Sequence, residues 1–167
     1  IKARKQFEVY RKILQSEQLD PVTREYASQH IASLLLREDC PTSLHFEILN
    51  LLIGHAKANV ETTIAGSILM SLNQVCQAAT FKNGGQTNSK IPKPRLLEAC
   101  QAIGTNQKSS VANIATSVAV TGDLSVDDGA ASFPEWVIDV FEEHSKIRSE
   151  GEEILGAELI VLSCARV

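Results

Sequence analysis

Apolar residues recur at helical spacing through most of this 167-residue chain, and this periodicity constrains the fold more than any other feature. Aliphatic side chains spaced three or four residues apart fall on one face of an α-helix, so the pattern predicts helices that are buried along that face. In the fourth such segment the apolar stripe includes Ile64, Ile68 and Leu72. The chain is therefore predicted to be all-α.

About eight helices are predicted, each bounded by a break in the apolar spacing or by turn-forming residues. Asp20 and Pro21 suit the N-cap and the first position of the second helix, and Asn59 can cap the fourth. The β-branched residues of "VANIATSVAVT" leave a strand open as an alternative to the sixth helix. The predicted helices cover about residues 2–16, 21–37, 42–57, 60–79, 94–103, 109–120, 133–148 and 150–166.

Two stretches of the chain carry no helical stripe. Residues 81–93, within "FKNGGQTNSKIPKP", are rich in glycine and polar residues and are predicted to form a flexible insert. "GDLSVDDGAA" is predicted to be a second, acidic loop. The insert divides the chain into residues 1–80, with two helical hairpins, and residues 94–167, with two further hairpins of the same array.

The spacing of the predicted helices indicates a repeat. The first and third helices begin near residues 2 and 42, and the fifth and seventh begin near 94 and 133. Both offsets are about 40 residues, a period typical of helical-hairpin repeats. The second helix of each pair carries small residues that let neighbouring helices approach closely. These residues are Ala27 and Ala32, Ala65 and Gly66, Ala112 and Ala115, and Gly156 and Ala157.

The segments "REYASQHIASLLL", "ETTIAGSILMSLN" and "GAELIVLSCA" resemble the HEAT and armadillo class of α-solenoids. The resemblance covers most of the chain outside the insert. It implies four antiparallel hairpins stacked into a HEAT-like α-solenoid, and the apolar end "ELIVLSCARV" is consistent with a segment of a longer array. A single, non-repetitive helical bundle is the alternative fold.

No motif in the sequence predicts catalysis. "GGQTNSK" lacks the second glycine and the preceding strand of a phosphate loop, and H-E-x-x-H is absent. The cysteines have no C-x-x-C spacing and are expected to be buried free thiols, which favours the cytoplasm or the nucleus. No apolar run approaches the roughly 20 residues of a membrane span. We therefore expect no catalytic residue, cofactor, metal site or small-molecule substrate. The four cysteines are Cys40, Cys76, Cys100 and Cys164.

Charge is distributed unevenly along the chain. Residues 1–120 hold thirteen basic and nine acidic side chains, a balance of +4, whereas residues 121–167 hold three and eleven, a balance of -8. This asymmetry predicts a basic surface on the first helix and an acidic surface near the end of the chain. The last helix is apolar on more than one side and is expected to pack against a further hairpin or a partner. The predicted partner-binding residues are Lys2, Arg4, Lys5, Arg11, Lys12, Glu142, Glu143, Leu159 and Leu162.

The features above favour a non-enzymatic helical-repeat scaffold segment that mediates protein–protein interaction within a larger assembly. Its expected partners are other protein subunits or further repeats of the same chain. One alternative is a nucleic-acid-binding helical repeat that uses the basic first helix, although the net charge of -4 does not favour it. The other is a regulatory helical domain of a larger enzyme.

Overall fold

The computed structural model describes residues 2–82, 91–125 and 134–145, and these residues form helices and no strand. The all-α prediction is confirmed, and the strand alternative for "VANIATSVAVT" is wrong. Seven α-helices lie in the described ranges rather than about eight, and the predicted eighth helix at 150–166 lies outside them. The helices are α1 Lys2–Gln15, α2 Pro21–Ser33, α3 Thr42–Ala58, α4 Thr63–Lys82, α5 Lys93–Gly104, α6 Val111–Ser125 and α7 Glu135–Ser145.

Several helix ends differ from their predicted positions. α2 is extended by a 3-10 turn over Leu34–Leu36, in which Leu34 and Leu35 are buried. α6 continues to Ser125 through residues that were predicted to form a loop. The Ser125 hydroxyl donates to the Thr121 carbonyl at 2.7 Å, and Leu124 is buried, so hydrogen bonding and packing both favour helix here.

Helices cover both ends of the predicted insert 81–93. α4 extends to Lys82 and α5 begins at Lys93. Ile91, two residues before α5, is 1 % exposed and belongs to the core. Its burial connects the start of α5 to the rest of the fold, an anchoring that the polar composition around it did not indicate. Residues 83–90 lie outside the described ranges.

Side-chain caps explain where two of the helices begin and end. Asp20 Oδ1 accepts a hydrogen bond from the Thr23 amide at 2.9 Å, which confirms the predicted cap of α2. Asn59 was predicted to cap α4, and that prediction is wrong. Its Nδ2 instead donates to the His55 carbonyl at 2.8 Å, so Asn59 terminates α3. An asparagine amide can donate to the free carbonyls of a helix C-terminus as well as accept at an N-terminus.

The first six helices pack in two layers. α1 packs on α2, α3 on α4, and α5 on α6, while α4 also lies between α2 and α6. We call α2, α4 and α6 the inner layer, and α1, α3 and α5 the outer layer. Glu25 of α2 bonds to Thr63 at the start of α4, and Asn73 of α4 bonds to Asp123 of α6. The first bond joins early turns of α2 and α4, and the second joins the middle of α4 to the last turn of α6. Gly66, in the first turn of α4, bonds to Asn113, in the first turn of α6, so the inner helices run in the same direction.

A mainly aliphatic core fills the space between the two layers. The predicted stripe of α4 is confirmed, because Ile64, Ile68 and Leu72 are all buried. α7 joins this core through Trp136, whose ring packs against Gly104 at the end of α5. In the described part of the chain, no helix combines the length and the apolar character that crossing a bilayer requires.

A second buried asparagine, besides Asn73, connects the second and third hairpins. Asn113, at the start of α6, is 1 % exposed. Its Nδ2 donates to the carbonyls of Val60 and Thr62 at 2.8 and 2.7 Å, and its Oδ1 accepts from the Gly66 amide at 2.9 Å. The side chain therefore satisfies backbone groups in the α3–α4 turn and the first turn of α4, and we call this arrangement the Asn113 clamp.

Substitution of Ile68 by aspartate tests the core. Ile68 is fully buried, so Ile68→Asp places a charge where no partner or water can stabilise it. We expect the free energy of unfolding to fall by about 3–5 kcal/mol in urea denaturation. Gln77→Asp, at an exposed position of the same helix, is the control and should change stability little. Similar losses in both variants would contradict the described packing.

Two glycine-to-alanine substitutions test the Asn113 clamp with opposite expected signs. A Cβ at Gly66 would lie 2.7 Å from Asn113 Oδ1, whereas a Cβ at Gly54, within α3, would meet nothing within 4 Å. We expect Gly54→Ala to stabilise the fold by about 0.5–1 kcal/mol, because alanine favours a helix interior. Gly66→Ala should instead destabilise it by about 1–3 kcal/mol. Thermal and urea denaturation of both variants would measure the change in stability. If Gly66→Ala stabilised the fold, the Asn113 clamp would not restrict the space at position 66.

Candidate functional site

A groove of about 590 Å³ lies over the inner layer. Residues of α4 contribute to it from Thr63 to Ala78, and α2 with its 3-10 turn borders one side. The first turns of α6, from Ala112 to Thr116, border the other side. The groove therefore follows α4 for roughly 22 Å at 1.5 Å per residue, and it exists only because three successive inner helices lie side by side.

None of the fifteen residues that line this inner-layer groove is charged. Small side chains such as Ala32, Ser67 and Ala112 leave it wide. Met70 is the most exposed large apolar side chain of the lining, with 44 % of its surface accessible. The groove thus offers hydroxyl, amide and thioether groups in a setting without formal charge.

Two glutamine amides in the groove have no hydrogen-bond partner. Gln29 of α2 and Gln74 of α4 are exposed, and no described residue bonds to either side chain. The Ser67 hydroxyl is likewise without a partner in the described ranges. The hydroxyls of Ser33 and Thr116 are already used, since each donates to a carbonyl in its own helix. Gln29, Ser67 and Gln74 are therefore the polar groups that a bound molecule can engage.

The floor of the groove is fixed by the Asn113 clamp. Asn113 uses both amide hydrogens and its carbonyl oxygen within the protein, so it has little capacity left for a ligand. Ser71, also buried, donates its hydroxyl to the Ser67 carbonyl at 2.8 Å. The floor is thus an already satisfied polar surface, and the groups at the rim are the ones that remain available.

The five basic residues predicted from the first helix do not form one free patch. Arg4 donates two hydrogen bonds to the Glu47 carboxylate, at 2.6 and 2.8 Å, and connects α1 to α3. Arg11 pairs with Glu8 at 2.6 Å and lies over the Phe7 ring. The helical pattern gave no signal for the Arg4 partner, because Glu47 lies 43 residues away.

The other three predicted cations, Lys2, Lys5 and Lys12, are exposed on one face of α1 and form no ion pair within the described residues. Val9 lies among them and is 57 % exposed. Three lysines spread over three helical turns give a weaker field than the predicted cluster of five.

The predicted acidic and apolar partner residues lie at the other end of the chain. Glu142 and Glu143 are exposed on α7, near the exposed side chains of Ile138 and Phe141. Leu159 and Leu162 lie outside the described residues. Within those residues, the two charged surfaces are thus on α1 and α7, and neither borders the inner-layer groove.

The described cysteines and histidines do not assemble into a reactive or metal-binding site. Cys40, Cys76 and Cys100 are buried and form no disulfide among the described residues, and burial raises the pKa of the Cys100 thiol to about 12. Cys164 lies outside the described ranges. No group of three or more histidine, cysteine or carboxylate side chains converges among the described residues. His30 stacks on the Tyr10 ring, with centroids 5.0 Å apart.

Sequence reasoning missed every residue of the groove rim. Gln29, Ser67 and Gln74 occupy helix positions away from the apolar stripe, where polar residues are usually only solvated. The available signal was their recurrence on the same side of two successive inner helices, which becomes visible only once α2 and α4 are known to be parallel. No family model, curated protein or solved structure matches the chain.

His55 makes the stability of the fold depend on pH. Burial lowers its pKa from the ordinary 6.5, the charge of Arg24 lowers it further, and its Nε2 has no described partner. The imidazole of His55 therefore takes up a proton at a higher pH in the unfolded chain than in the folded chain. The free energy of unfolding should fall as pH drops through 6.5, until the folded pKa is reached.

Denaturation at a series of pH values would measure this effect. His55→Gln should flatten the decline in stability below pH 6.5. His30→Gln, which removes a histidine from α2 and leaves His55 in place, is the control and should keep the decline. An unchanged slope in His55→Gln would show that His55 is not its source.

Proposed function

We propose that the chain is a non-enzymatic helical-repeat scaffold segment, of the HEAT-like type, whose inner layer holds partner proteins. The observation that carries the proposal is the groove over α2, α4 and α6, which no single hairpin could form. Its rim presents unbonded polar groups on at least two hairpins, so a ligand that occupies it spans repeat units. Long surfaces built from successive units suit extended partners.

Contacts in the outer layer support the repeat part of this proposal. Arg4 bonds to Glu47, Lys57 to Glu98, and Arg95 to Asn50, and the bonded residues are 43, 41 and 45 positions apart. These separations match the period of about 40 residues in the sequence. Each hairpin is thus joined to the next by polar contacts between equivalent outer helices, as expected for stacked units.

Binding of nucleic acid through α1 has less support. Two of the five basic residues are paired with carboxylates, and the remaining lysines are spread along the helix. The groove itself carries no cation that could attract phosphate. A regulatory domain of a larger enzyme is not favoured by any described contact. Partner proteins, either other subunits or further repeats of the same chain, are the ligands that the groove fits best.

Site-specific photo-crosslinking in the native cells tests the proposal. Benzoylphenylalanine would replace Met70, which lies in the groove, and in a second variant Phe46, which is 55 % exposed on outer helix α3. We expect discrete protein adducts from the Met70 position and none of these adducts from the Phe46 position. Both replacements introduce a similar aromatic group, so the location of the probe is the main difference between them.

Three results would contradict the scaffold function. These are adducts from the outer position alone, the same adducts from both positions, or no protein adduct at all. An adduct that nuclease removes would favour the nucleic-acid alternative instead.

A further inference from the structure

The chemistry of the inner-layer groove restricts what can occupy it. A partner helix has already satisfied its backbone groups internally, so it binds mainly through apolar side chains and needs an apolar groove. The large apolar side chains of this groove are few, chiefly Met70 and Leu36, because Val75 is buried and most other lining residues are polar or small. Gln29 and Gln74 instead present amides that can both donate and accept hydrogen bonds.

An extended peptide matches these groups. Its backbone amides and carbonyls are unsatisfied along the whole segment, and each glutamine can accept from an N–H and donate to a C=O. We propose that the groove binds an extended, uncharged segment of a partner protein, whose backbone Gln29 and Gln74 hold. The inference rests on the scaffold function proposed above and specifies the kind of segment that the scaffold recognises.

The absence of charged residues from the groove lining indicates that the bound segment is uncharged. No lining residue carries a charge, and the Glu25 carboxylate at one end is already bonded to the Thr63 hydroxyl. An acidic or basic side chain along the rest of the groove would therefore lose water without gaining a counter-ion. The same reasoning disfavours the phosphates of nucleic acid. Serine, threonine, alanine or valine side chains would enter at little desolvation penalty and would find the Ser67 hydroxyl and the Met70 thioether beside them.

The dimensions of the groove fit a short segment. At roughly 22 Å for the stretch of α4 along the groove, an extended chain with about 3.3 Å per residue would place six or seven residues in it. Small residues below the rim, including Ala32, Gly66 and Ala112, allow a peptide backbone to approach the helices closely. Larger side chains on the peptide would point out of the groove.

Selection of peptides by the full chain tests this inference. The probe is a phage-displayed library of random linear nonapeptides, and its readout is the composition of the enriched sequences. We expect uncharged peptides rich in small and β-branched residues, without the three-to-four-residue apolar spacing of an amphipathic helix. The best of them would then be synthesised and titrated against the wild-type protein and its variants.

The variants remove one amide at a time. Gln29→Met and Gln74→Met keep the length and helix preference of the side chain while removing its hydrogen bonds. Each should weaken peptide binding about fivefold, the equivalent of one hydrogen bond. Gln77→Met, on α4 but outside the groove, is the matched control and should bind as the wild type does.

The possible outcomes separate the two proposals. Enriched peptides that are charged or amphipathic, no enrichment, or equal binding by all three variants would overturn the extended-segment inference. The scaffold proposal would stand in each case if the Met70 position still crosslinks to partner proteins. Failure of crosslinking at that position removes the scaffold function itself.

Discussion

The junction between the second and third hairpins depends on buried polar contacts, and the Asn113 amide makes three of them. The carbonyls of the α3–α4 turn lie at this junction, where Val60 also accepts from the Ser110 amide and Thr62 from the Ala65 amide. A carbonyl that is buried without any hydrogen bond is unfavourable by about 1–3 kcal/mol. Asn113 reaches these groups from α6 and bonds to Val60 and Thr62, while its oxygen accepts from the Gly66 amide. Only a side chain with two donors and an acceptor in one plane meets all three, and only glycine leaves space for it at position 66. The direction of α6, and with it one side of the groove, follows from this contact.

The sequence predicted what apolar spacing controls. The stripe through Ile64, Ile68 and Leu72 identified α4 and its buried face, because burial of aliphatic side chains leaves a periodic trace. It did not predict the role of Asn113, since a polar residue in an apolar run usually signals an exposed position. The sequence also could not predict that Arg4 forms an ion pair, because its partner Glu47 is brought near by tertiary packing. The local apolar pattern was therefore sufficient to predict the helices and the core, whereas the long-range polar contacts became visible only in the structure.

The groove was unpredictable for a related reason. Gln29 and Gln74 belong to different helices, and their common orientation follows from the parallel packing of α2 and α4. That packing depends on how closely the helices approach, which small residues such as Ala32 and Gly66 permit. Neither glutamine is distinguishable from an ordinary solvated residue until the helices are in place. The site is thus a property of the layer rather than of any segment within it.

The two layers differ in how firmly they join successive hairpins. In the inner layer, the second and third hairpins are joined by the buried Asn113 contact, whereas the Glu25–Thr63 bond between the first and second hairpins is exposed. The outer layer relies in part on exposed pairs such as Arg4 with Glu47 and Lys57 with Glu98, which water and salt weaken. Between the second and third hairpins, the outer contact is therefore weaker than the inner one, so bending at this junction would open the outer edge first. A small tilt of the third hairpin about the Asn113 contact would change the width of the groove between α4 and α6 without unfolding either hairpin.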